Sequence, residues 1–185
     1  MSTLEVNKLT PLANNGTVTM GDSGDTINIP SGVTIANAGT ATGFGGGKIG
    51  QVVSSANSQT NVQNTSTTYA DIGFSASITP SATSSKIYVT AVVSMLGETG
   101  SETNVTTQHR ILRGSTQIIQ FNTARINGVE SAIGGSPSLA ILDSPSTTNA
   151  VTYKVQQRVE VAGGRSVTSH WNSGASTITL MEVLA

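Results

Sequence analysis

The chain has 185 residues with nine Lys and Arg against ten Asp and Glu, and only 10% of its positions are charged, well below the roughly 25% usual for soluble domains. Ser, Thr, Asn and Gly fill 84 of 185 positions and Val with Ile 31, while Leu is limited to 9 and Cys is absent. The near-neutral balance and the Val/Ile content exclude a disordered chain, the shortage of helix formers excludes a helix bundle, and the missing Cys excludes disulfides, thiolate metal sites and Cys nucleophiles.

In chain order, Met1-Ser-Thr-Leu-Glu5 lacks the basic and then apolar pattern of a signal peptide, which predicts a cytosol-made protein. Between Leu9 and Gly47 only Asp22 and Asp25 carry charge. Apolar pairs recur there at alternate positions, Val18 with Met20, Ile27 with Ile29, Val33 with Ile35, so each pair lies on one face of a very short strand. Turn residues separate them, at Gly21-Asp-Ser-Gly24, Pro30-Ser-Gly32 and Asn37-Ala-Gly39. Strands this short do not hold together alone, and other copies of the chain are the natural source of the missing surface. The expectation is an intertwined homotrimeric stem over residues 1–47, in which closed symmetry hides the strand edges, with a disordered N-terminal arm as the alternative.

Thr42-Gly-Phe-Gly-Gly-Gly47 reads as a joint, and from Ile49 the strands lengthen. Ile72, Phe74, Ala76 and Ile78 alternate with Asp71, Gly73, Ser75 and Ser77, and Pro80 ends the run. Ile87, Val89, Ala91, Val93 and Met95 share one face, while Tyr88, Val92 and Leu96 make the other apolar, predicting one central strand covered on both sides. Val105–Leu112 and Gln117–Ala124 flank a four-residue hairpin loop, Arg113-Gly-Ser-Thr116. Leu139–Leu142 supplies a short strand, and Val151, Tyr153, Val155, Val159 and Val161 alternate with polar residues. Val167–Trp171 and Ser176–Leu184 close the series around Asn172-Ser-Gly174. About eight strands at this spacing predict a β-sandwich of jelly-roll type over residues 48–185, long enough to close one core.

No motif points to catalysis or to a cofactor. Gly45-Gly-Gly47-Lys-Ile-Gly50 spells GxGxxG, but a dinucleotide site needs a strand before it and a helix after it, and β-branched sequence follows. His109 and His170 are the two histidines, too far apart in sequence to suggest a metal cluster. His109 alternates with Val105, Thr107 and Ile111 as an ordinary strand residue would. There is no GxSxG, and the acidic residues are scattered, so the expectation is a protein that is not an enzyme and carries neither metal nor cofactor. Nine dispersed cations also make no nucleic-acid footprint, and no apolar run reaches the roughly 18 residues of a membrane span. One constellation fits ligand contact. Arg165, His170 and Trp171 lie near Ala162-Gly-Gly164 and Asn172-Ser-Gly174, and an exposed indole can stack on the apolar face of a sugar. The commoner reading of Trp171, the sole tryptophan, is that it fills the core or a subunit interface, since aromatics dominate both.

The opening Met1-Ser-Thr-Leu-Glu-Val-Asn-Lys-Leu9 with its Gly/Thr/Ser-rich short strands resembles the N-terminal stem of small virion fibre proteins of marine tailed bacteriophages, including cyanophages. Ser81-Ala-Thr-Ser-Ser-Lys-Ile-Tyr-Val89, Ile111-Leu-Arg-Gly-Ser115, Leu142-Asp-Ser-Pro145 with Val151-Thr-Tyr153, and Ser176-Thr-Ile-Thr-Leu-Met-Glu182 resemble the C-terminal β-domain of the same group. The resemblance implies a virion component: a homotrimeric fibre joined to other tail or capsid proteins through residues 1–47, presenting a β-sandwich to host-surface glycans. A capsid decoration protein without a receptor role is the alternative, and a polysaccharide-degrading tail spike is the third. The resemblance brings no catalytic residue with it.

Overall fold

The computed structural model describes residues 19, 22–24, 26, 28, 31–32, 48–57 and 59–184. The chain divides into two compact units, Met1–Thr42 and Gly43–Ala185. In the first, Ser23-Gly24 and Ser31-Gly32 are turns, and both glycines have positive φ. The intertwined stem expected over 1–47 otherwise lies outside the described residues.

The described residues of the second unit are all-β, with twelve strands and one single-turn 3₁₀ segment, Trp171–Ser173. The strands are β1 (Ile49–Ala56), β2 (Val62–Asn64), β3 (Ala70–Ile78), β4 (Lys86–Val92), β5 (Met95–Glu98) and β6 (Asn104–Arg113). They continue with β7 (Thr116–Asn127), β8 (Ala132–Gly135), β9 (Ser138–Asp143), β10 (Val151–Val159), β11 (Ser166–Ser169) and β12 (Thr177–Val183). Three antiparallel sheets have the orders β1-β12-β4-β9, β3-β10-β6-β7 and β2-β11-β5-β8. The third repeats the first strand for strand, because β1 runs on to β2, β4 to β5, β8 to β9 and β11 to β12. The twelve short strands are therefore eight long ones, four of them broken, and the chain passes between two layers in the jelly-roll manner.

The alternations explain which face of each strand is inside. Along β3, Ile72, Phe74, Ala76 and Ile78 are buried and the intervening residues exposed. A bulge at Gly73, φ +89°, opposes two extra β3 residues to β10, an even number that keeps the alternation in phase. Those four residues meet Ile87, Val89 and Ala91 of β4, Leu139 of β9, Tyr153 and Val155 of β10, and Ile178 and Leu180 of β12 in the main core. A smaller core of Val105, Ile126, Val159 and Val167 lies beneath β11.

Four sequence expectations change. The long strand expected from Ile87 to Leu96 breaks after Val92, where Val93 N–H turns to Pro137 O and Ser94 N–H to Ser176 Oγ. The described residues leave its outer face uncovered. Val52, Met181, Tyr88 and Leu142 stand side by side across β1, β12, β4 and β9, and three of them, Val52, Tyr88 and Leu142, are exposed. The hairpin loop between β6 and β7 is the two residues Gly114-Ser115, since Arg113 pairs with Thr116. Finally, β10 ends at Val159, and Val161 is exposed.

Candidate functional site

The link from β11 to β12 carries the one tryptophan. His170 lies at φ +57°, Asn172 at +52° and Ser173 at +59°, so three of four consecutive non-glycine residues are left-handed. Each such residue costs on the order of 1 kcal/mol and persists only where its surroundings over-determine it. The contacts here do so. His170 N–H donates to Ser94 O (2.7 Å), Asn61 N–H to His170 O (3.1 Å), and Asn172 N–H to Asn61 Oδ1 (3.0 Å). Ser176 N–H donates to Asn57 Oδ1 at 2.7 Å, fixing the exit into β12. Gly174 packs so closely on Ser94 that a Cβ there would collide with its hydroxyl.

The His170 ring points inward and is fully buried. Its Nε2 lies 2.7 Å from Ile72 O, an acceptor only, so Nε2 carries the proton. Nδ1 then accepts from the Ser176 hydroxyl at 2.8 Å, and the ring meets Phe74 edge-on at 5.5 Å. This inward pin turns the next side chain outward. Trp171 is 43% exposed and lies above Gly134, where a Cβ would stand 3.7 Å from the indole. Beside the indole is a groove of about 360 Å³ lined by Asn61, Gln63, Leu96, Glu98, Thr168 and Asn172. An apolar ring next to amide, hydroxyl and carboxylate groups matches a sugar, whose C–H face stacks while its hydroxyls both donate and accept.

Of the three residues singled out for ligand contact, the fold places only Trp171 at the surface. Arg165 is 8% exposed and donates to Asn104 O, to Ala162 O at 2.7 Å and to Glu102 Oε2 at 3.2 Å, bracing the segment between β10 and β11. Arg165 and His170 are therefore corrected from contact residues to internal supports, because folding has already engaged their polar atoms. The GxGxxG segment runs directly into strand β1 at Ile49, and no helix follows it.

Sequence reasoning missed a buried polar network. His109, fully buried on β6, has Nδ1 2.7 Å from Thr123 Oγ1 and Nε2 3.2 Å from Ser169 Oγ. Ser169 in turn donates to Gln157 Oε1, whose amide donates to Val62 O. The Ser–His pair resembles a nucleophile with its base, yet both residues are sealed from solvent, and a threonine stands where a carboxylate would orient the imidazole. Burial, then the charge of nearby His170, holds the His109 imidazole down at about 4. With 24 serines in the chain, nothing local to Ser169 could have revealed this pairing.

No protein-family model matches the chain, and no curated protein does. Among solved structures it is similar to chains from the Gt strain of infectious bursal disease virus (17% identity, TM-score 0.42) and the Gx strain (17%, 0.38). A chain of the T13 particle of the same virus has 17% identity and a TM-score of 0.36. These likenesses cover 84%, 85% and 73% of this chain but only 42%, 43% and 36% of the viral chains, so it spans less than half of their length. Likenesses of this size carry no functional conclusion.

Proposed function

We propose that this protein is a non-enzymatic structural component of a virion, a homotrimeric fibre or appendage joined to other virion proteins through residues 1–47. Its sandwich engages host-surface glycans through the Trp171 groove. The observation that carries the attachment reading is the exposure of the only tryptophan on a turn of three left-handed residues, held from beneath by His170 and from the side by Asn61. A ring that merely filled space would not need a strained and multiply bonded support to stand outside the core. Three copies would also convert weak single-site sugar contacts into firm attachment. The resemblance of the N-terminal and strand motifs to phage fibre proteins supports the virion setting.

Trp171→Ala is expected to leave trimer and melting temperature unchanged and to lower host-cell adsorption at least about tenfold. Unchanged adsorption with an intact trimer would overturn the attachment role, and loss of assembly would assign Trp171 to an interface.

A second reading, capsid decoration without receptor binding, is favoured by the apolar row Val52–Met181–Tyr88–Leu142, which suits packing against another subunit. Sedimentation is expected to give a trimer, and a monodisperse monomer would refute both readings. Locating the chain in particle images separates them, a tail position favouring attachment and an array over the capsid favouring decoration.

A further inference from the structure

The outward face of the sheet β3-β10-β6-β7 gathers cations in a chain that has few. The Arg110 guanidinium carbon lies 3.9 Å from the Tyr69 ring centroid and that of Arg158 4.6 Å from it, so the two like charges flank one phenol. Among the described residues, neither arginine forms an ion pair. Neutral oxygens position them instead. Arg110 donates from Nε (2.8 Å) and Nη2 (2.6 Å) to Gln156 Oε1 and from Nη1 to Gln117 Oε1 (3.0 Å). Arg158 donates from Nε to Gln108 Oε1 (2.6 Å) and from Nη1 to Thr67 O (3.1 Å). The nearby carboxylate, Asp71, is already engaged by Gln156 Nε2 at 2.7 Å and Lys154 Nζ at 3.0 Å.

Each guanidinium has five N–H donors in a planar fork, so both keep donors to spare after these bonds. Two guanidiniums held on one phenol without a direct ion pair repel each other, and an anion with two acceptor oxygens relieves that repulsion. Glutamine and asparagine amides surround the pair, Gln108 bonding Asn122 at 2.8 Å, and they offer partners to hydroxyl groups. Two arginines on one phenol make a compact site rather than the long basic track that a nucleic acid or an anionic membrane would need.

We propose that this face is a second ligand site, distinct from the Trp171 groove, which binds an acidic sugar by its two-oxygen anionic group on the spare N–H donors of Arg110 and Arg158. A hexuronate carboxylate and a sugar sulfate share that chemistry.

The full chain, titrated calorimetrically at low salt with an oligogalacturonate, a sulfated oligosaccharide and a neutral oligosaccharide, tests this. At least one acidic oligomer is expected to bind, and whichever does identifies the anion. The neutral one is not expected to compete at this face. The double substitution Arg110→Gln with Arg158→Gln is expected to weaken binding at least about tenfold, whereas Lys86→Gln on the other layer leaves it unchanged. The unsubstituted protein gives an independent readout: the bound oligomer should protect Arg110 and Arg158, but not Arg125, from phenylglyoxal. Failure of both acidic oligomers to bind, equal binding by the double variant, or equal protection of Arg125 would overturn the site. Those results would leave the Trp171 reading standing, because Trp171→Ala is read separately by adsorption.

Discussion

Acidification from pH 6.5 to pH 4 is expected to lower the stability of the β-sandwich by about 3 kcal/mol through His109 alone. The unfolded chain protonates this imidazole near its ordinary 6.5, whereas the folded protein resists until about 4. The cause is first burial, since the ring has no solvent exposure, and second the charge of His170. Between those two values the unfolded state binds more protons than the native state, so stability rises with pH across the window. It is fully present above 6.5 and has been lost by about 4. Thr123 and Ser169 satisfy both ring nitrogens of the neutral form, which is why the group is tolerated in the core. Urea midpoints measured at intervals from pH 7 to pH 4 check the slope. His109→Gln should be less stable at pH 7 and should have a flatter profile over this range. A variant as pH-dependent as the parent would place the proton linkage elsewhere.

Glu182→Ala is expected to destabilise the fold by about 3 kcal/mol at neutral pH. Glu182 is 1% exposed and points inward from β12 beside Ile87. Burial by itself would raise its carboxyl, but donors outweigh that and hold it at about 2: Gln51 Nε2 at 2.7 Å, Ser81 N–H at 2.6 Å and Ser81 Oγ at 2.7 Å. The carboxylate thereby ties edge strand β1 and the segment after β3 to the end of the sandwich. Alanine would strand these donors. Because the folded value lies below the ordinary 4.5, this contribution is present above pH 4.5 and fades as the pH falls towards 2. The two windows follow each other, His109 from 6.5 to 4 and Glu182 from 4.5 to 2. Glu182→Gln should keep part of the stability at pH 7 and lose the lower window, with chemical denaturation at pH 7, 4 and 2.5 as the measurement.

Strand identity was legible wherever one face is buried and the other wet. The β3 alternation from Asp71 to Ile78 and the β10 alternation from Val151 to Val159 read directly as inside and outside, and the structure buries the expected faces. Continuity was not legible. The run from Ile87 to Leu96 looks unbroken, but at Val93 and Ser94 the backbone bonds to Pro137 and Ser176, residues more than forty positions away. The outer face of β4 misled for a related reason. An apolar face reads as covered, and none of the described residues covers Tyr88 or Leu142.

The candidate sites divide in the same way. Trp171 was conspicuous as a lone tryptophan beside Asn-Ser-Gly, but the commoner expectation for such a ring is the core or a subunit interface, and it is the fold that exposes it. Arg165 and His170 share that neighbourhood in sequence, yet their side chains turn inward, a choice made by Asn104, Glu102, Ile72 and Ser176. The pairing of Arg110 with Arg158 around Tyr69 was not legible either, since the three residues come from β6, β10 and the segment before β3.

By itself the sequence determined an all-β chain poor in charge and the facing of its well-patterned strands, because side-chain alternation and composition act locally. Only the tertiary structure decided which strands break, that Trp171 stands outside the core, that His109 and His170 become internal supports, and that two arginines meet around one tyrosine. Those outcomes depend on hydrogen-bond partners and charges that strand pairing brings together from distant parts of the chain, and no local pattern encodes them.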